Sequence, residues 1–355
     1  MEETQYKNFS LKTHKKNWKA RNLNVCQFEL TFKCGLHCRH CYSDCYNKPS
    51  LVKKELNTSQ VKTLIDKVFD LGVLWFCFTG GDPLERPDFL ELYAYAKEKG
   101  FIVTVFTSGI SLTKEIVKVF TKTPPFVIEM TLNGATKETY ETVTRVRGSF
   151  EKAMRGLELM LKYNLPLKVK TMATKQNFKE LLEIKEFLDE RNIMFRPSSL
   201  LHARLNGDKG PCDLRLSKDE INEIDKMFGV KSSKEDENHK TKQAKNKPLP
   251  KSNNRLFRCA FGSSDGINID PYGNMFPCSC IRKPVVNFLN SSPRKIKEAI
   301  FKTYPAMAHA EFETDSKCRS CSYIDICPKC PGKALLETGD MEARINDFCK
   351  LIGKD

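Results

Sequence analysis

Residues 25–42 read VCQFELTFKCGLHCRHCY. The first eight are dominated by β-branched, aromatic and other apolar residues, the composition of a strand. That strand runs straight into a C-x3-C-x2-C loop formed by Cys34, Cys38 and Cys41. Three thiolates packed into one tight loop can ligate three irons of a 4Fe-4S cube and leave the fourth iron without a protein ligand. A zinc loop is the competing reading, with His37, His40 or Cys45 as its fourth donor.

Outward from this stretch, strand-like runs recur at 74–78, 102–106, 126–132, 167–172 and 193–197, separated by amphipathic helical stretches. Val61, Leu64, Ile65, Val68 and Leu71 follow a helical period, with Thr58 or Ser59 expected to cap the start and Gly72 to end it. Phe150, Met154, Leu157 and Leu161 repeat the stripe, as do Leu181, Ile184 and Leu188. Six strands alternating with helices predict right-handed crossovers and a parallel sheet. Six is two short of a closed eight-stranded barrel, so the expected fold is α/β: a partial (β/α)6 barrel over residues 25–228, its last helix near 217–228. Chemistry belongs at the C-terminal ends of its strands. Residues 1–24 read as a basic extension, 229–258 as a Lys-, Ser-, Asn- and Pro-rich linker. Residues 259–355 hold eight of the fifteen cysteines and are expected to fold around metal as much as around apolar side chains.

No run of eighteen apolar residues appears, and the N-terminus is polar and basic, so no membrane segment or secretory leader is predicted. The net charge is +15, of which residues 1–21 and 229–258 carry about ten between them. Both stretches read as flexible, solvated basic tails, with an acidic peptide or partner as the next reading; nucleic acid is not the expected partner. Clustered cysteines in a chain this long, without a signal peptide, argue for reduced thiolates holding metal in a reducing cytoplasm rather than for disulfides.

The cysteine triplet at the end of a first barrel strand resembles the signature of the radical S-adenosylmethionine (SAM) superfamily. The resemblance implies that SAM chelates the open iron through its amino and carboxylate groups and is cleaved to a 5'-deoxyadenosyl radical. It places Tyr42 beside the adenine. The end of the second strand, Gly80, Gly81, Asp82 and Pro83, is similar to the family's Gly-Gly-Glu-Pro, which approaches the methionine ammonium; Asp82 is one methylene shorter than the usual Glu. Thr107, Ser108 and Gly109, then Thr131, Leu132, Asn133 and Gly134, stand where the family has further SAM-contacting strand ends. Residues 140–150 are similar to a family stretch ending in Gly-Ser-Phe whose Arg falls at Thr144 here, so Arg145, Arg147 or Lys170 is expected to take the methionine carboxylate.

Cys259, Gly273 and Cys278, followed by Cys318, Cys321, Cys327, Cys330 and Cys349, resemble the SPASM extension of peptide-modifying radical enzymes. This implies two auxiliary 4Fe-4S clusters. Cys318, Cys321, Cys327 and Cys349 would hold the outer one and Cys259, Cys278 and Cys330 the inner one, although Cys330 falls one residue early against the family spacing. The fourth inner ligand is Cys280, Cys212 or none. A zinc ribbon of Cys318, Cys321, Cys327 and Cys330 is the alternative. Cys26, Cys45 and Cys77 are left as small core residues. The implied function is oxidative modification of a ribosomally made peptide by crosslink, thioether formation or dehydrogenation. Peptide epimerisation quenched by a thiol such as Cys212, a small-molecule enzyme of tetrapyrrole or carbohydrate chemistry, and a non-catalytic electron carrier are the alternatives. Ser279, where anaerobic sulfatase maturases place an Asp, argues against that activity. The stretch ahead of Cys34 is too short for a leader-binding domain, so the implied partners are a peptide substrate, a separate leader-binding protein, and a reductant such as flavodoxin or ferredoxin.

Overall fold

All six expected strands form, in a computed structural model that describes residues 5–20, 23–229, 254–259, 261 and 266–353. They are β1 (Val25–Thr31), β2 (Trp75–Gly80), β3 (Ile102–Thr107), β4 (Val127–Thr131), β5 (Leu167–Met172) and β6 (Met194–Ser198). Each pairs parallel with the next in chain order. The crossovers carry helices: α2 (Thr58–Asp70), α3 (Phe89–Glu98), α4 (Lys114–Lys122), α5 (Lys137–Thr144), α6 (Ser149–Lys162) and α7 (Leu181–Asp189). α8 (Lys218–Met227) follows β6. The cap of α2 is Asn57, in a capping box with Gln60, rather than Thr58 or Ser59; its short amide reaches the third helical N–H from outside the first turn.

Strand side chains alternate between two faces. Cys26, Phe28, Leu30, Phe76, Phe78, Val103, Val105, Ile128, Met130 and Val169 are buried with Val61, Leu64, Ile65, Val68, Leu157 and Leu188 of the helices in one continuous core. The opposite face, which the pleat assigns to the barrel interior, carries Gln27, Glu29, Cys77, Phe106, Glu129, Thr131, Lys168 and Lys170. A mixed polar surface there is what a ligand cavity needs and a packed core does not.

The sheet does not stop at six strands. β7 (Gly266–Ile269) adds parallel to the free edge of β1, and β8 (Asn274–Phe276) and β9 (Val286–Asn287) follow antiparallel, giving the order β6-β5-β4-β3-β2-β1-β7-β8-β9. Two short helices, α9 (Pro331–Thr338) and α10 (Asn346–Leu351), close the cysteine-rich region.

The basic N-terminal stretch is not a flexible tail: Tyr6–Ala20 form helix α1. Tyr6 meets Phe126 at 4.5 Å between ring centroids, His14 stacks on Trp75 at 4.6 Å, and the Trp75 indole N–H donates to the Tyr6 hydroxyl at 3.0 Å. Trp75 begins β2 and Phe126 precedes β4, so α1 lies against the N-terminal ends of these strands, opposite the end that carries the cysteine loop. The expected linker falls mostly at 230–253, outside the described residues.

Candidate active site

The cysteine loop leaves the C-terminal end of β1 and is held from three sides. Asn47 accepts the Cys34 N–H at 3.2 Å through its amide oxygen and donates to the carbonyls of Cys34 (2.9 Å) and Leu36 (3.2 Å). Carbonyls at the end of α5 accept the His37 and Arg39 N–H groups, from Thr144 and Val143, each at 3.0 Å. Arg204, beyond β6 and only 8% exposed, donates to the carbonyls of Cys41 and Arg39. Arg145 caps α5 in the left-handed conformation (φ 58) and donates to the His37 carbonyl at 2.6 Å and to Asp44 at 3.2 Å. Its guanidinium therefore braces the loop, while the expected Arg position, Thr144, is buried against the Ser149 hydroxyl.

Within this clamp the thiols of Cys34, Cys38 and Cys41 lie together. Burial is the main force pushing all three thiols up from their ordinary range, and neighbouring thiols add to it at Cys34 and Cys38. The Asn133 amide donates towards Cys38 Sγ at 3.7 Å. The Asn133 oxygen, the His40 Nδ1 and the Tyr140 hydroxyl are buried with no partner. His40 is thus turned inward rather than to solvent, and burial lowers its pKa to about 4. Gathered thiols that only cationic metal would stabilise as thiolates, ringed by unpaired polar groups, fit a cluster with a bound cofactor beside it. Among the described residues no three His, Cys, Asp or Glu side chains converge on a point that a single ion could occupy.

Gly80 and Gly81 serve the same loop. Gly80 has φ 131, and a Cβ there would lie 2.2 Å from the Thr31 carbonyl; a Cβ on Gly81 would lie 2.3 Å from the Lys33 carbonyl. The end of β2 thus presses directly on the chain entering Cys34. Asp82 is fully buried and accepts from Thr107, from both the backbone and hydroxyl of Ser108, and from the Leu84 N–H, all between 2.6 and 3.1 Å. Two expected SAM contacts, Asp82 and Ser108, are therefore tied to each other, with Pro83 buried alongside.

Below the loop, the barrel interior holds an ion pair. Lys170 Nζ lies 3.3 Å from Glu129 and 3.3 Å above the Phe106 ring, each charged side chain about one-third exposed. Burial lowers the Lys170 pKa. Cys77 borders the pair and is pushed up to about 12, chiefly by burial. Arg196 is the register partner of Lys170 on β6, so the β5–β6 side of the cavity is basic. Thr131, the last residue of β4, is paired with Lys170 at the same level.

Tyr42 donates to Glu29 at 3.2 Å, and Arg282, arriving from beyond β8, grips both oxygens of that carboxylate at 2.6 and 2.8 Å. The C-terminal cysteines form two groups. Cys327 is pushed up by burial and by the neighbouring Cys349, Cys318 and Cys321 thiols. Separately, the Cys280 thiol hydrogen-bonds Cys278, lowering the latter, and Cys330 lies close enough to act on Cys280. Cys259 is exposed and lines a cleft with Cys327 and Cys330. Cys212 lies apart, beside Arg215, its thiol raised to about 11 by burial. Cys26 is a core residue as expected. Asn47, Arg204, Glu29 and Arg282 were invisible as site residues in the sequence; a Glu inside an otherwise apolar strand was the one available signal.

Residues 28–188 match the Radical SAM superfamily model. This stretch is a radical SAM domain. Members of this superfamily are enzymes that use a 4Fe-4S cluster and SAM. An AdoMet-dependent heme synthase of Methanosarcina barkeri is 26% identical over 326 residues, 88% of this chain and 92% of that protein. The mycofactocin maturase MftC of Mycobacterium tuberculosis is 32% identical over 157 residues, 44% of this chain and 39% of that protein. An Fe-coproporphyrin III synthase of M. barkeri is 31% identical over 169 residues, and the alignment spans only 42% of its length. The fold is similar to that of Streptococcus suis SuiB bound to precursor peptide SuiA, with a TM-score of 0.66 at 15% identity, covering 96% of this chain and 80% of that one. It is equally similar to anSMEcpe with bound AdoMet and the Kp18Cys peptide, with a TM-score of 0.65 at 16% identity, covering 94% and 95%. Among the described residues no helix is long and apolar enough to cross a membrane.

Proposed function

We propose that this radical SAM enzyme oxidatively modifies a peptide, with Cys34, Cys38 and Cys41 as ligands of the catalytic cluster and the C-terminal cysteines as ligands of auxiliary iron-sulfur centres. The observation that carries the reading is the gathering of three thiols at the C-terminal end of β1, beside the polar inner face of the sheet and next to a module with two further cysteine groups. When bound, the cluster and SAM supply a 5'-deoxyadenosyl radical able to take hydrogen from an unactivated carbon. The chain's part is positional. Asn47, Arg204 and Arg145 fix the loop, Gly80 and Gly81 admit the β2 backbone next to it, and Tyr42 is held by Glu29 and Arg282 where the resemblance puts adenine. The outer ligands are Cys318, Cys321, Cys327 and Cys349, and the inner ones are drawn from Cys259, Cys278, Cys280 and Cys330. Lys168, Lys170 and Arg196 on one wall of the cavity suit a substrate bearing carboxylates, such as an acidic peptide.

A second reading is favoured by one finding: the relative that spans 92% of its own length here is a heme synthase, whereas the maturase match is confined to 39%. An iron porphyrin with carboxylate side chains would use the same basic wall. Anaerobic reconstitution with iron and sulfide, followed by dithionite and SAM, should give 5'-deoxyadenosine in the wild type and none in Cys34→Ala, with the auxiliary iron retained in that variant. Deoxyadenosine from Cys34→Ala would sink the cluster assignment. Adding iron coproporphyrin to the reconstituted enzyme decides the second reading: a product shifted in mass makes the chain a tetrapyrrole enzyme, and unchanged porphyrin leaves the peptide.

A further inference from the structure

The segment beyond β6 brings a histidine to the inner cysteine group. His202 Nδ1 is 2.8 Å from the Ala203 carbonyl oxygen. A carbonyl can only accept, so Nδ1 carries the proton, and the lone pair of the neutral ring is at Nε2. Nε2 faces Cys280 Sγ at 3.7 Å. Two donors on one tetrahedral metal atom, with bonds of about 2.3 Å to sulfur and 2.0–2.1 Å to nitrogen, stand roughly 3.5 Å apart. The observed spacing is close to that. An imidazole that ligates a metal through one nitrogen commonly donates its other N–H to a backbone carbonyl, which fixes tautomer and orientation; His202 already has that second contact.

Cys280 is itself held in place. The start of α9 rests on it so tightly that a Cβ on Gly332 would lie 2.7 Å from the Cys280 Cβ. Cys278 hydrogen-bonds Cys280 on one side and Cys330 lies on another. On its far side the His202 ring packs near Tyr42, with centroids 5.8 Å apart. Three thiols and one imidazole nitrogen thus meet where the C-terminal module touches the cysteine loop of the barrel.

We propose that the inner auxiliary centre is of the 2Fe-2S type, whose irons each take two protein ligands, and that His202 is a nitrogen ligand of the iron that also holds Cys280, with Cys278 and Cys330 completing the donor set. The inference rests on the auxiliary-cluster reading above. A neutral imidazole in place of a thiolate removes one negative charge from the centre and raises its reduction potential, as histidine ligation does in Rieske centres relative to all-cysteine ones. The centre nearest the barrel then becomes the better electron acceptor of the two.

The test uses the full chain carrying Cys34→Ala, Cys38→Ala and Cys41→Ala together, so that only auxiliary iron remains. Reduced protein is examined by pulsed electron paramagnetic resonance, with histidine at natural abundance and labelled with nitrogen-15. The expected result is a nitrogen coupling of iron-bound imidazole that shifts with the isotope, disappears in His202→Ala, and leaves the iron content of that variant largely in place. His202→Cys, which restores a thiolate, should bind iron and lower the potential of one centre. Bound iron with no histidine coupling, or a coupling that survives His202→Ala, overturns the proposal alone. Absence of iron from the triple variant overturns both it and the auxiliary-cluster reading.

Discussion

At the scale of single residues, the cysteine loop depends on backbone contacts that only particular side chains allow. Gly81 was legible as one of a pair beside a strand end, and its resemblance to a cofactor-binding glycine was readable too. The structural demand on it is nearer at hand: the Lys33 and Phe32 carbonyls lie 2.3 and 2.6 Å from where its Cβ would be. Neither carbonyl can retreat without moving Cys34. Gly81→Ala should therefore destabilise the fold by about 1–3 kcal/mol, the cost of forcing atoms into a packed site, and be isolated without catalytic iron. Thermal melts and iron analysis check both. Arg204 had no readable signal, because 163 residues separate it from the Cys41 carbonyl that it caps and no local pattern records such a distance. Replacing a buried, charged donor strands two loop carbonyls, at about 1.5–3 kcal/mol for each charged hydrogen bond. Arg204→Met should speed iron loss from the catalytic site at unchanged auxiliary iron, with Arg204→Lys in between. Equal loss from all sites in Arg204→Met would show a general unfolding instead.

At the scale of elements, the six strands were legible to within about two residues at each end because their apolar faces all pack on helices with a readable period. The capping residue of α2 was one position off, since Asn57, Thr58 and Ser59 all have side chains suited to the role. Helix α1 was misread for a different reason. Its lysines suggested a solvated tail, and its contacts are a few aromatic rings, which a search for aliphatic stripes passes over. Tyr6, Phe9 and His14 all meet Trp75. The chain has two tryptophans, so Trp18→Phe isolates the Trp75 signal. With α1 in place its emission should be blue-shifted and poorly quenched by acrylamide. Removing residues 1–22, which also removes the second tryptophan, should shift it to the red and increase quenching at least twofold. An unchanged spectrum would mean that α1 does not cover Trp75 in solution.

At the scale of the whole molecule, the cysteine-rich region and the barrel are joined through the sheet itself. The sequence suggested two successive units, because β7 is only four residues long and β9 two, too short for pattern reading, and because parallel pairing of β7 with β1 spans some 240 residues. Beyond the strands, three ion pairs cross between the regions among the described residues. Arg215 donates to Glu337 and, at 2.9 Å, to Asp347, and Arg282 grips Glu29, whose side chain is only 3% exposed. A chain ending at residue 229 would leave the β1 edge unpaired and Glu29 buried without its cation. Open edges template association, and an uncompensated buried charge costs about 3–5 kcal/mol, so that fragment should elute as aggregate rather than as a folded barrel. The Glu29–Arg282 pair separates this cause from simple loss of mass in the intact chain. Arg282→Met should lower stability by about 3–5 kcal/mol, and Glu29→Gln in the same chain should recover a large part of it, since the stranded charge is then gone. Urea denaturation of the single and double variants measures the coupling; purely additive losses would mean that the pair does not tie the two regions together.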